Sequence, residues 1–187
     1  TAVVNVNDNI PPIVVTKNIT VELDASGNAT IAADDVNDGS YDNCSISETH
    51  VLPNMFDCSL QQQTVPVMLT VIDGSGNAST GTANVTIIDN MAPTAVCKQI
   101  NVYLDETGMS AITADDIDDG SYDNCGITSK GLSQFEFTCS NIGMNEVTLT
   151  VMDAAGNIGS CVGLVNVMDN MAPTVITQNV TIELDEN

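Results

Sequence analysis

The sequence predicts an all-β chain of tandem antiparallel β-sandwich repeats, each about 80 residues long, and three observations carry that expectation. The first is a junction segment that recurs as Asp8-Asn9-Ile10-Pro11-Pro12, Asp89-Asn90-Met91-Ala92-Pro93 and Asp169-Asn170-Met171-Ala172-Pro173. The second is strand-period alternation: Ile19, Val21 and Leu23, then Val65, Val67, Leu69 and Val71, each separated by one residue. The third is punctuation, since turn clusters such as Asp73-Gly74-Ser75-Gly76-Asn77 separate these runs and no sustained helical period intervenes.

The junctions divide the chain into residues 1–8, the last strand of a preceding repeat; 9–89, repeat one; 90–169, repeat two; and 170–187, the start of a following repeat. Within each repeat the elements return in order. Val21-Glu22-Leu23-Asp24 matches Val102-Tyr103-Leu104-Asp105, and Ala33-Asp34-Asp35-Val36 matches Ala114-Asp115-Asp116-Ile117. Gly39-Ser40-Tyr41-Asp42-Asn43-Cys44 is repeated without change at Gly120–Cys125, and Leu69–Asp73 returns as Leu149–Asp153. Thr1–Asp8 aligns with Thr82–Asp89, so the chain reads as a window on a longer array. About seven short strands per repeat fit an immunoglobulin-like sandwich, although the Trp of antibody domains is missing.

Charge narrows the function classes. Against 25 acidic residues stand 3 basic ones, a formal net charge of -22. A nucleic-acid footprint needs clustered Lys and Arg, and an anionic membrane surface would repel this chain. No run of eighteen apolar residues exists, so membrane insertion is not expected, and no leader segment is legible. A compact fold with this charge repels itself unless cations offset it, the competing reading being a solvated acidic surface.

Six cysteines point to an oxidising, extracellular compartment. Cys44 and Cys58 correspond to Cys125 and Cys139, while Cys97 and Cys161 face Thr16 and Gly81 in repeat one. Two cysteines absent together are expected to bond to each other. The resulting prediction is Cys44–Cys58, Cys125–Cys139 and Cys97–Cys161. Zinc is disfavoured, because no CxxC spacing occurs and His50 is the single histidine.

The carboxylates gather in loops at strand ends. Repeat one offers Asp24, Asp34, Asp35, Asp38, Asp42 and Asp73; repeat two offers Asp105, Asp115, Asp116, Asp119, Asp123 and Asp153; Asp8, Asp89 and Asp169 mark the junctions. Turns use Asp, Asn and Gly routinely, but one or two acids per turn suffice. So many like charges in short loops predict Ca2+, which takes six to eight oxygen ligands on flexible backbone, in preference to Mg2+. All fifteen of these acids are therefore candidate metal ligands.

The Asp-Asn-x-x-Pro junction, the Leu-Asp turn, Gly-Ser-Tyr-Asp-Asn-Cys and the Val-x-Asp-x-x-Gly-Asn hairpin resemble the HYR-like immunoglobulin-fold repeats of large bacterial surface and secreted proteins, many from Bacteroidota. Asn7-Asp8-Asn9-Ile10-Pro11 is also similar to the calcium-binding linker of cadherins, although position 5 is Asn rather than Asp. The resemblance implies adhesion or stalk roles, and Asp8, Asp89 and Asp169 ligating Ca2+ between neighbouring repeats.

Catalysis is not expected. His50 faces Gly131 in the other repeat, and neither a nucleophile elbow nor a phosphate loop is present. Asn18, Asn28, Asn43, Asn77, Asn84 and Asn179 each open an Asn-x-Ser/Thr triplet, which glycosylation could use. The functional expectation is a structural, calcium-stiffened segment of an extracellular adhesin, stalk or surface fibre. Its partners would be neighbouring repeats and other copies in a filament. The alternatives are a glycan- or surface-binding module, or a passive spacer of a secreted enzyme.

Overall fold

The computed structural model describes residues 1–184, so only the last three residues of the expected third-repeat start, 185–187, lie outside the described residues. Repeat one runs β1 (Ile19–Glu22), β2 (Asn28–Thr30), a single helical turn α1 (Ala33–Val36), β3 (Ile46–Leu52), β4 (Met55–Asp57), β5 (Thr64–Asp73) and β6 (Ala78–Ile88). Repeat two follows with β7 (Ile100–Tyr103), β8 (Met109–Ala111), α2 (Ala114–Ile117), β9 (Ile127–Leu132), β10 (Glu136–Thr138), β11 (Gly143–Asp153) and β12 (Ile158–Met168). In each copy a four-stranded sheet, β1-β6-β5-β3 or β7-β12-β11-β9, faces a two-stranded one, β2-β4 or β8-β10. The long hairpin is antiparallel, whereas β1 and β7 join the edge in parallel, with Ile19 opposite Val85 and Ile100 opposite Val165.

Alternation places the cores. Val67, Leu69 and Val71 on β5 point inward with Val85 and Ile87 of β6, and meet Phe56 and Val36 from the facing layer. Repeat two repeats this with Val147, Val165 and Val167 against Phe137 and Ile117, and Leu149 and Val151 are buried as well, all at most 1% exposed. Burying each such side chain is worth about 1.5–3 kcal/mol, so Val, Leu and Phe suffice without Trp. Residues 1–8 and 170–184 belong to no strand. The last strand expected at 1–8 is therefore not formed, whereas its counterpart, 82–89, lies largely within β6 and pairs with β5 and β1. No helix among the described residues is long and apolar enough to cross a membrane.

The disulfides differ from the expected set. Cys97–Cys161 forms, tying the edge segment before β7 to β12. At the same place in repeat one, a Cβ on Gly81 would lie 2.7 Å from Val14 Cγ1 and 3.0 Å from Thr16 Cγ2. There, glycine lets the edge segment pack directly and no bond is needed. The expected Cys44–Cys58 and Cys125–Cys139 bonds do not form: Cys58 bonds Cys125 across the repeats, with 5.3 Å between Cα atoms, and Cys44 and Cys139 are free and exposed. Strand β3 is the reason. Its seven residues, rising about 3.3 Å each, carry the chain roughly 20 Å from Cys44, and a disulfide spans at most about 7 Å between Cα atoms.

Candidate metal centres

Of the predicted acids, the fold gathers two sets of three. Asp8, Asp42 and Asp73 bring carboxylate oxygens within 4.8 Å of one another, and Asp89, Asp123 and Asp153 do the same. Each set draws on three distant stretches: the junction, the Tyr-Asp-Asn-Cys loop, and the end of β5 or β11. The last strand residue is what aims the third carboxylate. Asp73 continues the inward register of Val67, Leu69 and Val71 and is 2% exposed, as is Asp153, while Asp89 is 1% exposed.

Local turns hold these groups. Asp73 Oδ1 accepts from the backbone N–H of Ser75 and Asn77, both at 2.8 Å, and its Oδ2 accepts from Asn77 Nδ2 at 2.7 Å. Burial alone would raise its carboxyl, but these bonds outweigh it and hold the group below its ordinary value. Asp8 is held low too, first by the backbone N–H of Ile10. Asn77 Nδ2 also reaches the Asp8 carbonyl at 3.1 Å, and Asn157 Nδ2 reaches those of Asp89 at 3.0 Å and Met91 at 3.1 Å. These asparagines clamp the late hairpin onto the junction. Their signal in the sequence is the Gly-Asn pair that recurs in both hairpins, which marks a turn and does not by itself reveal a ligand-positioning group.

Several acceptors lack partners. Asp42 Oδ1, Asp89 Oδ2, Asp123 Oδ1 and Asn124 Oδ1 are buried with no hydrogen bond among the described residues. An orphaned buried acceptor costs about 1–3 kcal/mol, more when charged, so three within the acidic triads, with Asn124 Oδ1 beside the second, ask for a cation. The second centre also adjoins repeat one, because Asn124 Nδ2 donates to the Asp24 carbonyl at 3.1 Å and to Asp89 Oδ1 at 3.3 Å.

The remaining predicted acids stand outside these triads. The carboxylates of Asp24 and Asp105 turn back into their own loops, accepting from Ser26 and Asn28, and from Thr107 and Met109. Asp35 and Asp116 cap the helical turns through the N–H of Ala32 and Thr113, both at 2.7 Å. Asp34, Asp38 and Asp119 are exposed, and Asp169 accepts only from Met171 N–H among the described residues. Asp115 instead meets Lys130 Nζ at 2.7 Å. His50 is an exposed residue of β3, 3.1 Å from Glu48.

Lys130 also grips Asp118 at 2.6 Å. Burial by itself would raise the Asp118 carboxyl, but Lys130 and Ser121 overcome it and hold the group far below the carboxylate range. The sign follows: this contribution is complete above the unfolded value near 4 and is lost as pH falls through the depressed folded value. Repeat one has neutral Asn37 and Thr49 at these positions. Lys130→Met is therefore expected to lower the melting temperature of repeat two by a few degrees at pH 7, with the difference from wild type shrinking in acid. Melting curves from pH 7 to 2 check this.

No protein-family model matches the sequence, and no curated protein matches it. Solved structures with a similar chain path include protocadherin gamma B7 extracellular domains 1–4 (11% identity, TM-score 0.40, covering 86% of this chain and 51% of that one). Drosophila N-cadherin domains 1–4 give 10%, 0.43, 85% and 50%, and human mucin-like protocadherin domains 1–2 give 14%, 0.40, 84% and 98%. This chain thus spans about half the length of the first two. Fold and site together define a tandem β-sandwich repeat protein with an acidic triad at the head of each repeat.

Proposed function

We propose that this chain is a calcium-stiffened structural segment of an extracellular adhesin, stalk or surface fibre, with repeats bounded at 9–89 and 90–169. The observation that carries the reading is the set of orphaned oxygens: Asp42 Oδ1 in one triad, and Asp89 Oδ2, Asp123 Oδ1 and neighbouring Asn124 Oδ1 at the other. The donors are all oxygen and sit on turn backbone. That chemistry fits Ca2+, a hard cation that tolerates irregular coordination, better than Mg2+, which demands near-octahedral geometry. Asp8, Asp42 and Asp73 would hold one ion and Asp89, Asp123 and Asp153 another.

A Ca2+ ion at the second centre would offset two of the three negative charges and fasten the junction residue Asp89 to two loops of repeat two. Since Asn124 already bonds the Asp24 carbonyl, repeat one would be held to the same ion indirectly. The HYR-like motifs and the two disulfides support an extracellular setting. Calorimetric titration of Ca2+ into the chelator-stripped chain tests the reading. Two saturable sites are expected, Asp42→Asn abolishing one and Asp123→Asn the other. Heat no greater than dilution would mean that the acids are only a solvated surface.

A further inference from the structure

The cysteine pattern implies more than one staple. Cys58 and Cys139 are the same position in successive repeats: each opens a single 3-10 turn, at Cys58–Leu60 and Cys139–Asn141, directly after β4 or β10. Each sulfur faces a turn glycine in the left-handed region. Cys58 Sγ is 3.5 Å from the Gly27 carbonyl and Cys139 Sγ is 3.8 Å from that of Gly108, with φ of +73° and +75°. A side chain at Gly27 would collide with Cys58 Sγ, and one at Gly108 would come within 2.9 Å of Cys139 Sγ. The second turn thus seats its sulfur against a glycine as the first does.

Cys44 and Cys125 are likewise equivalent. Each backbone N–H donates at 2.9 Å to the aspartate two residues earlier, Asp42 or Asp123. The preceding Asn43 or Asn124 bonds the junction aspartate, Asp8 or Asp89, at 3.3 Å. One copy of each position is used in the Cys58–Cys125 bond, and the other copy is a free exposed thiol. A repeat therefore presents a Cys58-type half-junction at one end and a Cys125-type half at the other.

We propose that Cys139 and Cys44 are open halves of this same junction, and that successive repeats are joined by a disulfide ladder, Cys139 to the Cys125-type cysteine of a following copy and Cys44 to the Cys58-type cysteine of a preceding one. Formation consumes a small-molecule disulfide such as oxidised glutathione. The Cys139 thiolate attacks one of its sulfurs and releases one glutathione thiolate. The incoming cysteine thiolate then attacks the Cys139 sulfur and releases the second. Two protein thiols lose two protons and two electrons, and one glutathione disulfide becomes two glutathiones. No bound ion is required, so the ladder stands or falls separately from the calcium reading.

The junction sequence permits a clean test. Asn170–Thr174 is identical to Asn90–Thr94, so a second copy of residues 90–169 can be inserted after Asp169 with the join unchanged. The 187-residue chain and the extended chain are refolded in a glutathione redox buffer, alkylated, and mapped by mass spectrometry without reduction. In the original chain, Cys58 is expected linked to Cys125, with Cys44 and Cys139 alkylated. In the extended chain a new Cys139–Cys125 link is expected while Cys58 stays bonded. Cys139→Ser in the upstream copy should abolish that link, and the same change in the inserted copy should leave it intact. Alkylation of both Cys139 copies, or a link that survives the upstream substitution, would overturn the proposal. So would Cys44–Cys58 in either chain.

Discussion

Removing Ca2+ is expected to lower the melting temperature of each repeat by roughly 10–20 °C. At a free concentration about 100 times Kd, a bound ion stabilises by about 2.7 kcal/mol, and a unit of this size shifts by about 4–8 °C per kcal/mol. Asp89→Asn separates the ion from its ligands by giving effects of opposite sign. With Ca2+ present the variant should lose the calcium-dependent rise in repeat two, because the orphaned Oδ2 is replaced by an amide donor. In chelator it should melt above wild type, since one of three carboxylates gathered within 4.8 Å is gone. Two unit charges at that distance repel by about 3 kcal/mol at an effective dielectric of 20, so a gain of about 1–3 kcal/mol is expected. Calorimetric melts of both proteins in both conditions check this, and equal destabilisation in both would assign Asp89 a purely structural role.

The second large effect lies in the bond that repeat two has and repeat one lacks. Cys97–Cys161 spans a sequence separation of 64 residues, and a cross-link of that span restricts the unfolded chain by about 4 kcal/mol in the chain-entropy treatment. The double variant Cys97→Ser, Cys161→Ser should lower the melting temperature of repeat two by roughly 15–30 °C. Repeat one, with Thr16 and Gly81 there, should keep its own transition. A single transition moving as one would instead show that the Cys58–Cys125 staple makes the repeats melt together.

The strand pattern was legible because both repeats bury one face. Alternation along Val65–Val71 and Val147–Val151 specifies which residues enter the core, and a one-residue slip would expose all of them. The Cys97–Cys161 pairing was legible for another reason: two positions that vary together between copies need only be near each other, and β12 runs beside the edge segment. The acids were harder to read. Asp24, Asp35, Asp105 and Asp116 have the same composition and loop setting as the ligand candidates, yet their side chains complete their own turns and caps. Nothing in local sequence separates an aspartate that closes a turn from one that faces two others.

The sequence alone therefore determined the repeat, the sandwich, the inward residues and the surplus of loop carboxylates, all of them properties of period and composition. Tertiary structure alone decided which acids converge and which cysteines meet. Asp8, Asp42 and Asp73 are joined only when the junction, a loop and the end of β5 close over one end of the sandwich. Cys44 and Cys58 are fourteen positions apart yet stand at opposite ends of it. The extended strand between them holds them apart and delivers Cys58 to the next repeat, where Cys125 is waiting.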